Sequence, residues 1–265
     1  MQAIYSIEDD RFDITDLENK KLILEFQQGK FVFIVLNNIT NSIEWLEDFP
    51  ITEWENDLPI IFDNHQFLKA NFWAQVVVVF HAIQKAIVPT KFIGKIDKSH
   101  LIPNYNSPDQ NVEIKTFKIN EERTLLYRVP KYFQDFLSKV YIGKEIYFIP
   151  MELCQPKEND GLIILVSNDA CNFSTHNGSM INSSVFIGLR NTRHFEKCID
   201  YFGEENAKVV LLGTVTNYSP LFDVIKRKDC DLSFGVLSSQ VKFSQYFSEV
   251  PKHKYFTIFN SVLYF

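Results

Sequence analysis

The sequence predicts an α/β protein made of two similar lobes, each a mixed sheet flanked by helices. Two observations lead to this prediction. An order of three strands followed by alternating helices and strands occurs twice along the chain. The 265 residues are also 46% hydrophobic, with 25 Phe and 11 Tyr against 9 Gly, and such a composition suits thick packed layers better than long flexible linkers.

The first copy begins with apolar runs separated by turn residues, Gln27-Gln28-Gly29 and then Asn37-Asn38. This pattern predicts a three-stranded antiparallel meander. Its strands are expected at 22–26, 31–36 and 42–49.

The first copy is expected to end in a strand at 124–129, a helix opening at Pro130, and a strand at 145–149. Residues 51–122 are too long for one crossover helix and are predicted to form an insertion. Within it we expect a helix around 58–72 and a hairpin made by strands 75–80 and 86–88.

The second copy begins at Leu162 and contains Asn177-Gly178, a dipeptide that favours a hairpin turn. A helix follows with Phe195, Cys198, Ile199 and Phe202 on one face. Its remaining elements are expected as a strand at 208–212, a helix with Ser219 as its N-cap and Pro220 as its first residue, a strand at 231–236 and a closing helix at 253–263.

The best linker in the sequence is the polar stretch 155–161. We therefore predict a first lobe at 1–158, with its insertion at about 51–122, and a second lobe at 159–265.

Three antiparallel strands followed by helix, strand, helix and strand describe one ribonuclease-H-like lobe, and two in tandem resemble the superfamily of actin, sugar kinases and heat-shock chaperones. The resemblance implies an actin-like ATPase fold with phosphate loops of the form Asp-x-Gly and an adenosine segment ending in Gly-Gly. Here the first loop is Glu25-Phe26-Gln27 and the second runs from Ser167 through Asp169 to Cys171. The adenosine segment ends in Gly213-Thr214.

Glu25, Asp169, Gly213 and Thr214 are thus the predicted remnants of a nucleotide site. Both phosphate loops lack the glycine that lets backbone amides approach a phosphate closely. Because phosphoryl transfer depends on positioning and on Mg²⁺, we expect weak or no turnover and predict no catalytic residue. Glu25 has two other interpretations besides that of a nucleotide-site remnant. It could be a metal ligand of a nuclease, or a strand carboxylate that faces solvent.

The C-terminal run from Lys242 to Asn260, the Val88-Pro89 hairpin and the Asn-Gly turn resemble the bacterial domain-of-unknown-function family numbered 3822. That family is associated with an actin-like ATPase fold and has no established activity, so the resemblance implies fold more than function.

Charge and composition narrow the function classes. A formal net charge of −6 argues against nucleic acid as a partner. The acidic N-terminus and the absence of a long apolar run predict a cytoplasmic protein without a membrane anchor. The six histidines and four cysteines show no zinc-binding spacing, so no metal site is predicted.

Two functions remain open. The first is a non-catalytic actin-like module that binds another protein and has no cofactor. The second is a weak switch or phosphotransferase that binds ATP and Mg²⁺ through the nucleotide-site remnants.

Overall fold

Two central sheets with the same strand order organise the fold. A computed structural model describes residues 2–102, 111–156, 161–168, 170–177, 180–202, 208–228 and 230–265. In chain order its strands are β1 (Tyr5–Glu8), β2 (Lys20–Gln27), β3 (Lys30–Asn37), β4 (Ser42–Pro50), β5 (Gln75–Phe80), β6 (Lys85–Pro89), β7 (Val112–Lys118), β8 (Arg123–Pro130), β9 (Ile146–Pro150), β10 (Gly161–Val166), β11 (Ala170–Asn177), β12 (Met180–Gly188), β13 (Lys208–Gly213), β14 (Asp231–Phe234) and β15 (Lys242–Phe243). Its α-helices are α1 (Trp54–Asn64), α2 (Lys98–Leu101), α3 (Lys131–Val140), α4 (Thr192–Phe202), α5 (Pro220–Lys226) and α6 (Phe256–Ser261).

The first sheet has the order β1-β4-β3-β2-β5-β9, and the short β15 also pairs with β4. Strands β2, β3 and β4 are antiparallel, whereas β5 is parallel to β2 and β9 is parallel to β5.

The second sheet has the order β12-β11-β10-β13-β14. Its first three strands in the sequence are antiparallel, and β13 and β14 continue the sheet in parallel. The predicted repeat is therefore confirmed: each copy is an antiparallel meander extended by two parallel strands. The two meanders lie in separate sheets.

The predicted hairpin of 75–80 with 86–88 is wrong. Strand β5 lies between β2 and β9 in the first sheet, while β6 pairs with β8 in a three-stranded sheet of order β6-β8-β7. The strand predicted at 124–129 is β8, the central strand of this three-stranded sheet. The physical reason is burial: Val76 to Val79 are all 0% exposed, as in a central parallel strand covered on both faces.

Several predicted boundaries shift. The helix predicted at 58–72 is α1 and ends at Asn64, the strand predicted at 231–236 ends at Phe234, and the closing helix starts at Phe256 rather than at 253. The predicted lobe boundary between 158 and 159 lies outside the described residues and stays a prediction.

Apolar side chains form three large cores that arrange the helices and sheets in five layers. One core joins the outer face of the first sheet to α1 and α3. A second joins the inner faces of the two sheets to α6, which lies between them. The third joins the outer face of the second sheet to α4 and α5. Within the described part of the chain, no helix is both long enough and apolar enough to cross a bilayer.

Candidate functional site

The carboxyl ends of the parallel strands carry most of the predicted site residues. Of these, Glu25 lies near the end of β2, and Gly213 ends β13 and is followed by Thr214; His81, which was not predicted, follows β5. This edge of an open α/β sheet is where such folds bind ligands. The chain from His253 to Thr257 connects the two sheets here: the Gly213 amide donates to the His253 carbonyl at 2.8 Å, and the Thr257 hydroxyl donates to Glu25.

Glu25 is a fully buried carboxylate. Gln27 Nε2 donates to its Oε2 at 2.8 Å, and Oε1 lies 2.9 Å from His81 Nε2 and also accepts the Thr257 hydroxyl. Burial by itself raises the pKa of Glu25, but the His81 ring and the hydrogen bonds from His81 and Thr257 outweigh it, so the pKa lies below its usual value. The carboxylate is ionised and enclosed, so the interpretation of Glu25 as a solvent-facing strand carboxylate is wrong.

A second buried carboxylate, Asp48 at the end of β4, lies in the same region. Its Oδ2 accepts the Tyr255 hydroxyl at 2.9 Å and lies 3.4 Å from Lys30 Nζ and 3.3 Å from Lys254 Nζ. Burial lowers the pKa of Lys30, and the neighbouring carboxylates Asp48 and Glu25 oppose that shift. We call this set the cleft cluster: Glu25, Gln27, Lys30, Asp48, His81 and residues 253–257.

Gly213 has a structural role at the end of β13. Its φ is +88°, and a Cβ placed there would lie 2.0 Å from the carbonyl oxygen of Val166 on β10. The Thr214 amide and hydroxyl both donate to that same oxygen, at 2.9 and 3.3 Å. The polar groups of this predicted adenosine segment therefore face β10. Asp169, the remaining predicted site residue, lies outside the described residues.

Several members of the cleft cluster were missed in the sequence. His81, Asp48 and the pair Tyr255 and Thr257 come from three separate segments, and no local spacing connects these segments. A signal was nevertheless present, because each of these polar residues lies in or beside an otherwise apolar run. A polar residue in such a run is either exposed or hydrogen-bonded inside.

A further buried polar network joins the three-stranded sheet to the second sheet. Lys85 on β6 pairs with Glu152, and its Nζ also donates to Asn172 Oδ1 on β11 at 2.6 Å. His176 Nε2 lies 2.9 Å from Gln155 Oε1. Burial lowers the pKa of His176 to about 4, although the Glu152 carboxylate acts in the opposite direction. The Ser184 hydroxyl donates to Glu152 Oε1 at 2.9 Å. We call this set the joint network: Lys85, Glu152, Gln155, Asn172, His176 and Ser184.

Comparison with known families identifies the chain's relatives. A family model described as "Protein of unknown function (DUF3822)" matches residues 9–160, which is more than half of the chain. The chain belongs to this family. The resemblance seen in the sequence is thereby confirmed. No functionally curated protein matches this DUF3822 chain.

Solved structures confirm the fold of this DUF3822 member. A protein of Bacteroides thetaiotaomicron with an actin-like ATPase fold and unknown function matches with a TM-score of 0.70 and 14% identity, over 84% of this chain and 93% of its own. A chain of the PilM–PilN type IV pilus biogenesis complex matches with a TM-score of 0.62 and 8% identity, over 92% and 97%. The cytoplasmic domain of EpsL, an inner membrane component of the type II secretion system of Vibrio cholerae, matches with a TM-score of 0.53 and 11% identity, over 92% and 94%. The protein therefore has the actin-like ATPase fold.

Proposed function

We propose that this DUF3822 protein is a non-catalytic actin-like module whose role is to bind another protein. The observation that supports this most is the state of Glu25, the carboxylate at the first phosphate-loop position. Both of its oxygens are engaged by Gln27, His81 and Thr257, and its side chain is 0% exposed. A carboxylate that positions Mg²⁺ or its water needs an oxygen open to the ligand.

The chain's own C-terminal segment supports the same proposal. Residues 253–257 contact Gly213 on one side and Glu25 on the other, so protein atoms lie between the two predicted halves of the nucleotide site. Displacing this segment would expose Tyr255 and Thr257, which are buried, and would remove the hydrogen bonds that they donate to Asp48 and Glu25.

Two of the similar structures belong to proteins of larger assemblies, the pilus biogenesis complex and the type II secretion system. For this chain we propose a role in a protein assembly. Two observations support it: residues 253–257 fill the cleft between Glu25 and Gly213, and the chain shares the fold of these two proteins. Bacterial cytoplasm is the proposed location.

The alternative function is a weak nucleotide switch. It is favoured by one observation: Glu25 and Gly213 lie on either side of a single short segment, at the sheet edge where ligands bind in such folds. In that case ATP and Mg²⁺ would have to displace residues 253–257 and would recruit Asp169 and Thr214.

The two functions are separated by purifying the tagged chain from its native cells at its natural abundance and weighing the intact assemblies by mass spectrometry. We expect a stoichiometric complex of this chain with a different protein. The mass of that complex should be the same with and without Mg-ATP. Recovery of the chain alone, or dissociation of the complex when Mg-ATP is added, would favour the nucleotide switch.

A further inference from the structure

Strand β14 ends the second sheet, and no described strand pairs with its outer side. The Gly235 amide, directly after β14, donates to the Leu211 carbonyl on β13 at 3.0 Å. In a strand, the N–H and C=O groups of successive residues point alternately to its two sides, so those of Leu232 and Phe234 point to the outer side. An unpaired edge of this kind is a template for another strand.

The other sheet edges are covered by neighbouring parts of the protein or carry charges. The Phe148 carbonyl of β9 accepts the Tyr127 hydroxyl of β8 at 3.3 Å, so the three-stranded sheet lies against β9. Strand β6 lies beside β12, and Arg123 of β8 donates to Asn182 on β12 at 3.1 Å. The short helical turn Gln245–Phe247 lies beside β1. Strand β7 carries charged side chains, which discourage pairing: Glu113, Lys115 and Lys118. Among the described strands, β14 therefore has the edge best suited to pairing.

A cavity of about 720 Å³ lies beside β14, on the inner face of the second sheet. Ser233 of β14 and Val210 of β13 are register partners and both face it. Lys208 also faces it, but lies opposite Asp231 in the register, so the two charges offset each other and the cavity favours a neutral occupant. The rest of its wall includes apolar and neutral polar side chains, among them Val236, Leu237, Ser238, Gln240, Asn260 and Leu263.

We propose that an extended segment of a partner protein pairs with the outer edge of β14 and places a large neutral side chain in this cavity. This inference rests on the proposed function as a protein-binding module and adds where the partner binds and in which conformation. In strand addition, main-chain hydrogen bonds supply the affinity and pockets for alternate side chains supply the specificity. The unpaired edge of β14 and the cavity beside it provide these two features.

A second copy of this chain fits the edge less well than a different protein does. Two β14 strands paired about a twofold axis would bring only Asp231 and Ser233 to the face that carries the cavity. These side chains are small and polar, so most of a cavity of about 720 Å³ would stay empty. The occupant is therefore assigned to another protein.

The test is a selection of random twelve-residue displayed peptides on the full chain, followed by synthesis of the enriched peptides with single N-methylated amides. N-methylation removes one main-chain donor and keeps the side chain. It should weaken binding at least about tenfold at alternate residues of the paired stretch and much less at the residues between them, because only alternate amides face β14. Replacing the large neutral side chain by Ala should weaken binding by a similar factor. Enrichment of no peptide, or a loss that does not alternate, would overturn the proposal.

Ser233→Lys and Thr116→Lys form a matched pair of variants. Each places a lysine on the edge strand of a sheet, but Ser233 faces the cavity whereas Thr116 is an exposed residue of β7. A charge pointing into the site opposes strand addition, so Ser233→Lys should weaken peptide binding at least about tenfold. Thr116→Lys should leave binding unchanged. Equal binding by both variants would place the peptide elsewhere and overturn the docking site.

Amide hydrogen exchange of the unsubstituted chain, followed by NMR, does not depend on how a variant folds. Peptide binding should slow exchange at Leu232 and Phe234, whose amides point to the outer side of β14. Unchanged exchange at both residues would overturn the docking site.

The complex purified from native cells separates this inference from the proposed function. The partner should be lost from the Ser233→Lys chain and kept by the Thr116→Lys chain. A native partner that remains bound to the Ser233→Lys chain would overturn this docking site while leaving the interaction-module function intact. A dimer of the chain that Ser233→Lys dissociates would assign the edge to a second copy, and recovery of the chain alone would overturn both the docking site and the function.

Discussion

Glu25 remains ionised inside the protein because hydrogen bonds from distant parts of the chain compensate for its burial. Thr257→Val removes the hydroxyl that donates to Glu25 and leaves the rest of the side chain nearly the same size. We expect the free energy of unfolding to fall by roughly 1.5–3 kcal/mol, the range for a hydrogen bond to a buried charged group. Urea unfolding measures this change. Thr257→Ser keeps the hydroxyl and is the control; equal losses in both variants would show that the bond to Glu25 contributes little.

His176 makes stability depend on pH. Its pKa is about 4 in the folded protein and 6.5 as the ordinary value, so below pH 6.5 the unfolded chain binds a proton that the folded chain does not. Stability should therefore fall as the pH drops from 6.5 to about 4. The lowered pKa of Glu152 acts in the same direction below its ordinary value of 4.5.

Urea unfolding at a series of pH values checks this dependence. His176→Gln should flatten the slope between pH 6.5 and 4.5, whereas His100→Gln, at an exposed histidine, should not. An unchanged slope in His176→Gln would mean that the pKa of His176 is not lowered in the folded protein.

At the scale of single elements, the end of β13 depends on the absence of a side chain at Gly213. A Cβ there would meet the Val166 carbonyl at 2.0 Å, whereas at Gly94, whose φ of +80° is similar, it would meet nothing within 4 Å. Gly213→Ala should lower the free energy of unfolding by at least about 3 kcal/mol. Gly94→Ala should lower it by about 1 kcal/mol, the conformational part alone.

Thermal or urea unfolding of both alanine variants separates steric conflict from backbone conformation. Similar losses of unfolding free energy in Gly213→Ala and Gly94→Ala would show that β10 and β13 can move apart at little cost in stability. A bulky substitution at Gly213 is a poor probe of nucleotide binding, because its side chain would collide with the Val166 carbonyl on β10.

Strand β5 shows why some elements were predicted and others were not. The apolar run Gln75 to Phe80 marked a strand correctly, but a run without alternation does not specify its neighbours, and the nearby strand suggested a hairpin. Complete burial on both faces indicates a central parallel strand. In contrast, α4 was predicted well because its 3.6-residue apolar period is local and unambiguous.

The candidate site was also predicted only in part, because local sequence patterns do not show which distant residues meet. The sequence indicated Glu25 and Gly213 through their positions after strands, but burial of Glu25 depends on α6, more than 200 residues away. Long-range hydrogen bonds leave no spacing in the sequence, so His81, Asp48 and Thr257 were found only in the structure.

At the scale of the whole molecule, α6 holds the two sheets together. Tyr255, Phe256, Ile258 and Phe259 are each 2% exposed or less and pack against residues of both sheets. Losing one such side chain typically costs about 3–5 kcal/mol, which approaches the total stability of a domain. Deleting residues 254–265 should therefore abolish cooperative thermal unfolding and near-ultraviolet circular dichroism.

A matched control for this deletion is Leu263→Ala. Leu263 lies in the same C-terminal segment but is 38% exposed, and its loss should leave the melting transition cooperative. A truncated chain with an unchanged melting curve would show that the segment is a detachable tail and that the cleft is open without it.

Calorimetric titration of the full chain with Mg-ATP shows whether residues 253–257 close the cleft to nucleotide. Because residues 253–257 lie between Glu25 and Gly213, we predict no saturable heat at millimolar nucleotide, which corresponds to less than about 4 kcal/mol of binding free energy. Micromolar affinity for Mg-ATP would contradict a closed cleft, because it would require the C-terminal segment to leave the cleft.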